Sequence, residues 1–124
     1  MKRVIFVGLH HKPDTPPLHS STKSGKLIDR IIAELPPIEI IKTNLFNVEY
    51  MPNREEFDYL NTLWLIENNP MNDDIIMLLG QTVHLEFPFT NGRIIKIAHP
   101  ASKRSHIEMD KYVLDSANKI KKYL

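Results

Sequence analysis

Four short apolar runs rich in Ile and Val, each closed by a polar residue or a glycine, limit what this chain can fold into. They are RVIFVGL (3–9), IEIIKTN (38–44), DIIMLLG (74–80) and RIIKIAH (93–99). Runs of this length with little polar alternation are strands buried on both faces. Between them, apolar residues recur at helical spacing. Leu27, Ile28, Ile31, Ile32 and Leu35 precede the stop at Pro36-Pro37, and Phe57, Leu60, Leu63, Trp64 and Ile66 follow a capping Asn53. QTVHLEF reads as one short helix. A last helix from about Ser105 places Ile107, Val113, Leu114, Ala117, Ile120 and Leu124 along one face. The order β-α-β-α-β-α-β-α predicts an α/β fold, with a four-stranded parallel sheet carrying helices on both faces.

At 124 residues, with no internal repeat, low-complexity tract or dividing linker, the chain reads as a single domain over 1–124. Cysteine is absent, which excludes disulfides, thiolate zinc sites, iron–sulfur clusters and a cysteine nucleophile. The opening MKRVIFVGL is too short an apolar run for a signal peptide or a membrane span, so a cytoplasmic protein with no membrane partner is expected. Net charge is +1, spread unevenly. Residues 1–50 carry seven Lys/Arg against five Asp/Glu, residues 51–100 three against seven, and residues 101–124 six against three. Basic ends and an acidic middle are accounted for by a charged solvent face before a phosphate-binding surface need be invoked.

Parallel α/β sheets bind ligands beyond the carboxyl ends of their strands. Here those positions are Gly8-Leu9-His10-His11, Asn44-Leu45-Phe46-Asn47, Gly80-Gln81-Thr82 and His99-Pro100-Ala101-Ser102. Polar groups follow every strand, and the sheet would bring them to one edge. The connection after the first strand is longer than a bare βα link needs, and it holds His10, His11 and His19 beside Lys12 and Asp14. STKSGK lacks the spacing of a phosphate-binding P-loop, since Ser20 and Leu27 stand where glycine and a hydroxyl residue belong. Ser20, Ser21, Thr22 or Ser24 would instead cap the helix that follows, whose start could still hold a phosphate. Adjacent His10 and His11 point to opposite sides of an extended segment, and no helical His pair exists, so no metal site is expected. His84 and His106 read as ordinary helix residues. A strained G-x-S-x-G elbow is also absent.

Taken together, the strand-end segments resemble the uracil-DNA glycosylase superfamily over nearly the whole chain. VIFVGLHHKP looks like its first motif, and GKLIDRII is similar to the helix that follows it. IIKTNLFN looks like the second strand with its terminal base-reading Asn. IIMLLGQTV resembles the third strand and turn, and IIKIAHPASKRS the last His-Pro motif with its DNA-contacting loop. The resemblance implies a three-layer α/β/α sandwich and hydrolysis of the N-glycosidic bond of uracil, or a related damaged or modified pyrimidine, flipped out of DNA.

Carried over by position, the resemblance makes His10 and His99 catalytic. His10 would activate water, and His99 would hydrogen-bond the departing base. Gly8, Leu9, His11, Leu18, Asn44 and Phe46 would surround the base, with Asn44 pairing to its edge. Ser24 and the run Pro100, Ala101, Ser102, Lys103, Arg104 and Ser105 would hold phosphates. His10 replaces the usual acid or amide of the first motif and His11 its proline. Leu18 stands near the position of a stacking aromatic, and Lys103-Arg104 replaces an apolar wedge. Without that wedge, single-stranded or mismatched DNA should be preferred over paired DNA. A monomer with no cofactor is expected. The alternative is a non-catalytic nucleobase- or DNA-binding module of the same fold.

Overall fold

The computed structural model describes residues 2–9, 15–89 and 91–124. Four strands, β1 (Arg3–Gly8), β2 (Glu39–Asn44), β3 (Ile75–Leu79) and β4 (Arg93–Ile97), form one all-parallel sheet in the order β2-β1-β3-β4. The helices between and after them are α1 (Lys23–Ala33), α2 (Phe57–Asn68), α3 (Gln81–Glu86) and α4 (His106–Lys121). Two short 3-10 turns, Arg54–Glu56 and Pro100–Ser102, precede α2 and α4.

The central strands β1 and β3 are apolar on both faces because both faces are covered. Val4 and Phe6 of β1, with Ile75 and Met77 of β3, pack under Leu27, Ile28 and Ile31 of α1 and Tyr112, Val113, Ala117 and Ile120 of α4. On the opposite face, Ile5, Val7, Ile76 and Leu78 pack against Phe57, Leu60 and Trp64 of α2 and Val83 of α3. The sheet therefore lies between two helical layers, as the alternation predicts.

Two assigned helix faces need correction, at four residues. Ile66, Ile107, Leu114 and Leu124 are 70%, 82%, 52% and 43% exposed, and Leu124 lies past the end of α4. The buried face of α4 runs instead through Tyr112, Val113, Ser116, Ala117 and Ile120. Ile107 lies in the first turn of α4, and Leu114 and Ile66 fall on the solvent side of their helices.

One buried ion pair ties the amino-terminal edge of the sheet. Asp74, fully buried just before β3, accepts from Arg3 Nε at 3.1 Å and Nη2 at 2.7 Å, and from the Met71 N–H at 2.8 Å. Burial alone would raise the Asp74 pKa. The guanidinium and backbone donors outweigh it and hold the carboxyl below its ordinary value. A carboxyl depressed in the folded state adds stability above its unfolded pKa of about 3.9 and loses it as pH falls through the lower folded value. Asp74→Ala removes one partner of this pair and should cost about 3–5 kcal/mol in denaturant unfolding at pH 7. The difference from wild type should shrink in strong acid.

Candidate functional site

The strand order places a topological switch between β1 and β3, because the chain leaves β1 towards one edge of the sheet and returns to the other side for β3. Crevices outside the carboxyl ends at such a switch are the usual ligand sites of open α/β sheets. A cleft of about 330 Å³ opens there, within the range of small-molecule sites. Gly8 and Leu9 line it from the end of β1, Asn44 from the end of β2, and His99 and Ala101 from the segment after β4. Thr15, Pro16, Leu18, Thr22, Lys23 and Ser24 form its remaining wall.

Asn44 is seated by the sheet itself. It pairs in register with Gly8 and is 6% exposed. A Cβ on Gly8 would stand 2.7 Å from Asn44 Oδ1, so glycine at this position is what lets the carboxamide lie across the end of β1. Pairing continues past the strands, with Leu45 N–H donating to Gly8 O at 2.8 Å and Phe46 N–H to Leu9 O at 2.9 Å. This fixes the backbone from which Asn44 projects.

His99 is set by a different device. It is the cap of the 3-10 turn Pro100–Ser102, and its Nδ1 accepts the Ala101 N–H at 3.1 Å. In the neutral ring the proton must then sit on Nε2, which becomes a donor. The ring keeps part of its surface in solvent, and desolvation of the rest lowers its pKa below that of free imidazole. His99 remains exposed overall, and the neutral ring is favoured by partial desolvation and by its own backbone bond. Gly80 lies against it, where an added Cβ would make an ordinary 3.4 Å contact with His99 Cβ, and glycine is required there by its backbone at φ +93°. His84 Nε2 lies 2.9 Å from Leu78 O and 2.8 Å from Ile97 O, so it donates to both and ties together the ends of β3 and β4.

The outer wall is a braced loop. Leu18 has a left-handed backbone at φ +52°, unusual for a residue with a branched side chain. Its carbonyl accepts from Lys42 Nζ at 3.1 Å, while Lys42 also binds Asp29 at 2.6 Å. Its Cδ2 would stand 3.6 Å from a Cβ on Gly8, across the floor of the cleft. Thr22 Oγ1 donates to His19 O at 2.8 Å and accepts the Gly25 N–H at 2.9 Å, so one hydroxyl closes the loop and caps α1. His19 is turned to the same task, with its Nδ1 accepting the Ser21 N–H at 3.0 Å. It braces the loop and does not line the cleft.

Of the residues expected at the site, Gly8, Leu9, Leu18, Ser24, Asn44, His99 and Ala101 come together in this one cleft. His10 and His11, with Lys12 and Asp14, lie outside the described residues. Phe46 requires correction as a base-binding residue. It is fully buried in the core beneath α2, its ring stacked on Phe57 at 4.7 Å. The phosphate-holding run is corrected too. The backbone N–H groups of Ala101, Ser102 and Lys103 already donate to His99 Nδ1, His99 O and Pro100 O. The Ser102 hydroxyl donates to His99 O, Pro100 is buried, and Ser105 caps α4 by accepting the Glu108 N–H at 3.1 Å. What remains of that run for an anion is the backbone at Arg104 and Ser105 and the side-chain charge on Lys103 and exposed Arg104. Thr15, Pro16, Thr22 and Lys23 were missed as wall residues. The unusual length of the loop after β1 was the signal that could have found them.

Among the described residues, no group of three His, Asp or Glu side chains is placed to hold a metal ion, and no helix is long and apolar enough to cross a membrane. Comparison of the chain with protein-family models, with curated proteins and with solved structures gave no match.

Proposed function

We propose that this chain is a uracil-DNA glycosylase-like protein that hydrolyses the N-glycosidic bond of uracil, or of a related modified pyrimidine, in DNA. The observation that carries this reading is the convergence of the Asn44 carboxamide and the His99 imidazole on one cleft, with the His99 proton directed to Nε2. An amide offers a donor and an acceptor side by side, which suits the edge of a pyrimidine. A neutral imidazole N–H suits the carbonyl oxygen on which charge collects as the glycosidic bond breaks. In this scheme the C–N electron pair leaves with the base, water adds to the sugar carbon, and His10 accepts the proton from that water.

A second reading is favoured by one feature of the sequence. His10-His11 occupies the place of the acid or amide and the proline of the resembled motif, which suits a module that binds a base without releasing it.

Incubation with uracil-containing oligonucleotides, followed by alkaline cleavage at abasic sites, separates the two. If this chain is a glycosylase, with Lys103-Arg104 in place of an apolar wedge, it should release uracil from single-stranded or mismatched substrate at least about tenfold faster than from a paired duplex, because an unpaired base costs less to extrude. His10→Asn should retain activity and His10→Ala should lose most of it. Absence of release from every substrate, with binding intact, would establish the binding module instead.

A further inference from the structure

A second feature of the surface lies beside the cleft. An open groove of about 420 Å³ runs between the outer strand β4 and α4. Lys96 lines it from β4, Lys103 from the turn that follows, and Lys111 and Lys119 from α4. Its carboxylates are Glu108 and Asp115, and both are engaged on their own helix. Asp115 binds Lys111 at 3.0 Å, and Glu108 accepts the Ser105 hydroxyl at 3.2 Å. Lys96, Lys103 and Lys119 form no salt bridge with any described residue. Lys103 Nζ stands 5.8 Å from the Tyr112 ring centroid, and the Tyr112 hydroxyl donates to Ala98 O at 2.6 Å, fastening this segment to α4.

The spacing of these cations selects the class of ligand. From Glu108 to Lys119 the helix rises roughly 16 Å, and the ammonium groups are strung along an open trough. A small anion needs donors converging on one point, whereas a chain of charges is matched by a row of them. The groove also adjoins the cleft along the backbone. Ala98 lines the groove, while His99 and Ala101 line the cleft. We propose that this groove is the track for the sugar-phosphate backbone of a single-stranded nucleic acid whose base occupies the cleft, an inference that rests on the base-binding reading of that cleft. An acidic polypeptide would satisfy the charge, but it has no base to place in the adjoining cleft.

Fluorescence anisotropy with a labelled fifteen-nucleotide single strand carrying one uracil, and with a three-nucleotide version, tests the track. Combined Lys96→Gln, Lys111→Gln and Lys119→Gln substitutions, all at exposed positions, should weaken the long strand about tenfold near 0.1 M salt. They should lower its log–log salt slope by about two and leave the short strand unchanged. Equal affinity and slope for the wild type and this variant would overturn the proposal. Displacement of the long strand by polyglutamate as effectively as by unlabelled oligonucleotide of equal charge would overturn it as well. Asn44→Ala distinguishes failure of the track from failure of the cleft. If it leaves the preference for uracil over an abasic strand unchanged while the lysine variant still loses affinity, the base-binding reading falls and the groove assignment stands.

Discussion

Gly25→Ala is expected to lower the melting temperature by about 10 °C, and to do so against the usual sense of a glycine-to-alanine change in a helix. Alanine normally gains up to about 1 kcal/mol in a helix interior. At Gly25 the new Cβ would fall 1.9 Å from His19 O and 2.6 Å from Leu18 O, both backbone atoms. Neither is the movable end of a side chain, so the whole loop must lift from the first turn of α1. Overpacking of this kind costs about 3 kcal/mol, and the Thr22 cap is disturbed with it at about 1 kcal/mol more. The net loss of roughly 3 kcal/mol is a shift of about 10 °C for a chain of this size. Thermal unfolding followed by circular dichroism checks the size. A change of under 2 °C, or a gain, would show that residues 15–22 are not pinned to α1 as described. Ligand binding should fail in the same variant, since Leu18 and Thr22 are wall residues of the cleft.

His99→Ala should reduce base release by about a hundredfold or more, the usual loss when one preorganised donor to developing charge is removed. The informative companion is His99→Asn. The Asn oxygen can still accept the Ala101 N–H, as caps commonly do, yet it presents no imidazole N–H to the cleft. If His99 served only to cap the turn, Asn would behave as wild type and Ala would destabilise. A functional donor leaves both variants equally inactive while Asn keeps the melting temperature. The protonation state adds a second check. Because desolvation depresses the His99 pKa, binding of the base should be constant above about pH 6.5, the ordinary imidazole value, and weaken only below it. Protonation puts a hydrogen on Nδ1, which then faces the Ala101 N–H, so the cap and the donor geometry are lost together. The same shift makes the neutral ring the folded-state preference, so stability should also decline as pH drops through this range.

The parallel sheet was legible in the sequence because β1 and β3 are buried on both faces and carry almost nothing but aliphatic residues. The strand ends were legible for the same reason. Gly8, Asn44, Gly80 and His99 mark where the apolar runs stop, and parallel pairing brings such stops to one edge. What failed depends on contacts between segments distant in the chain. Phe46 reads as an aromatic in a loop, but continued pairing of Leu45 and Phe46 with Gly8 and Leu9 turns it into the core against Phe57. The backbone donors after His99 read as free for phosphate, and those of Ala101, Ser102 and Lys103 are consumed by a 3-10 turn that only the His99 and Pro100 acceptors create. Asp74 opens the run read as the third strand, and nothing local in the sequence shows that its buried carboxylate is held by Arg3, 71 residues away in the chain. The α4 face was misassigned because Ile107 and Leu114 match the helical period, while the burying contacts come from Tyr112 and Ser116.

The most direct measurement follows the Asn44 side-chain amide and His99 Nε2 by ¹⁵N NMR as a single-stranded oligonucleotide with one uracil is added, beside an otherwise identical abasic strand. The account predicts that both signals shift together, saturate at the same concentration, and respond to uracil and not to the abasic strand. Signals that stay fixed, or that move equally with both strands, would contradict the assignment of this cleft as the seat of a base.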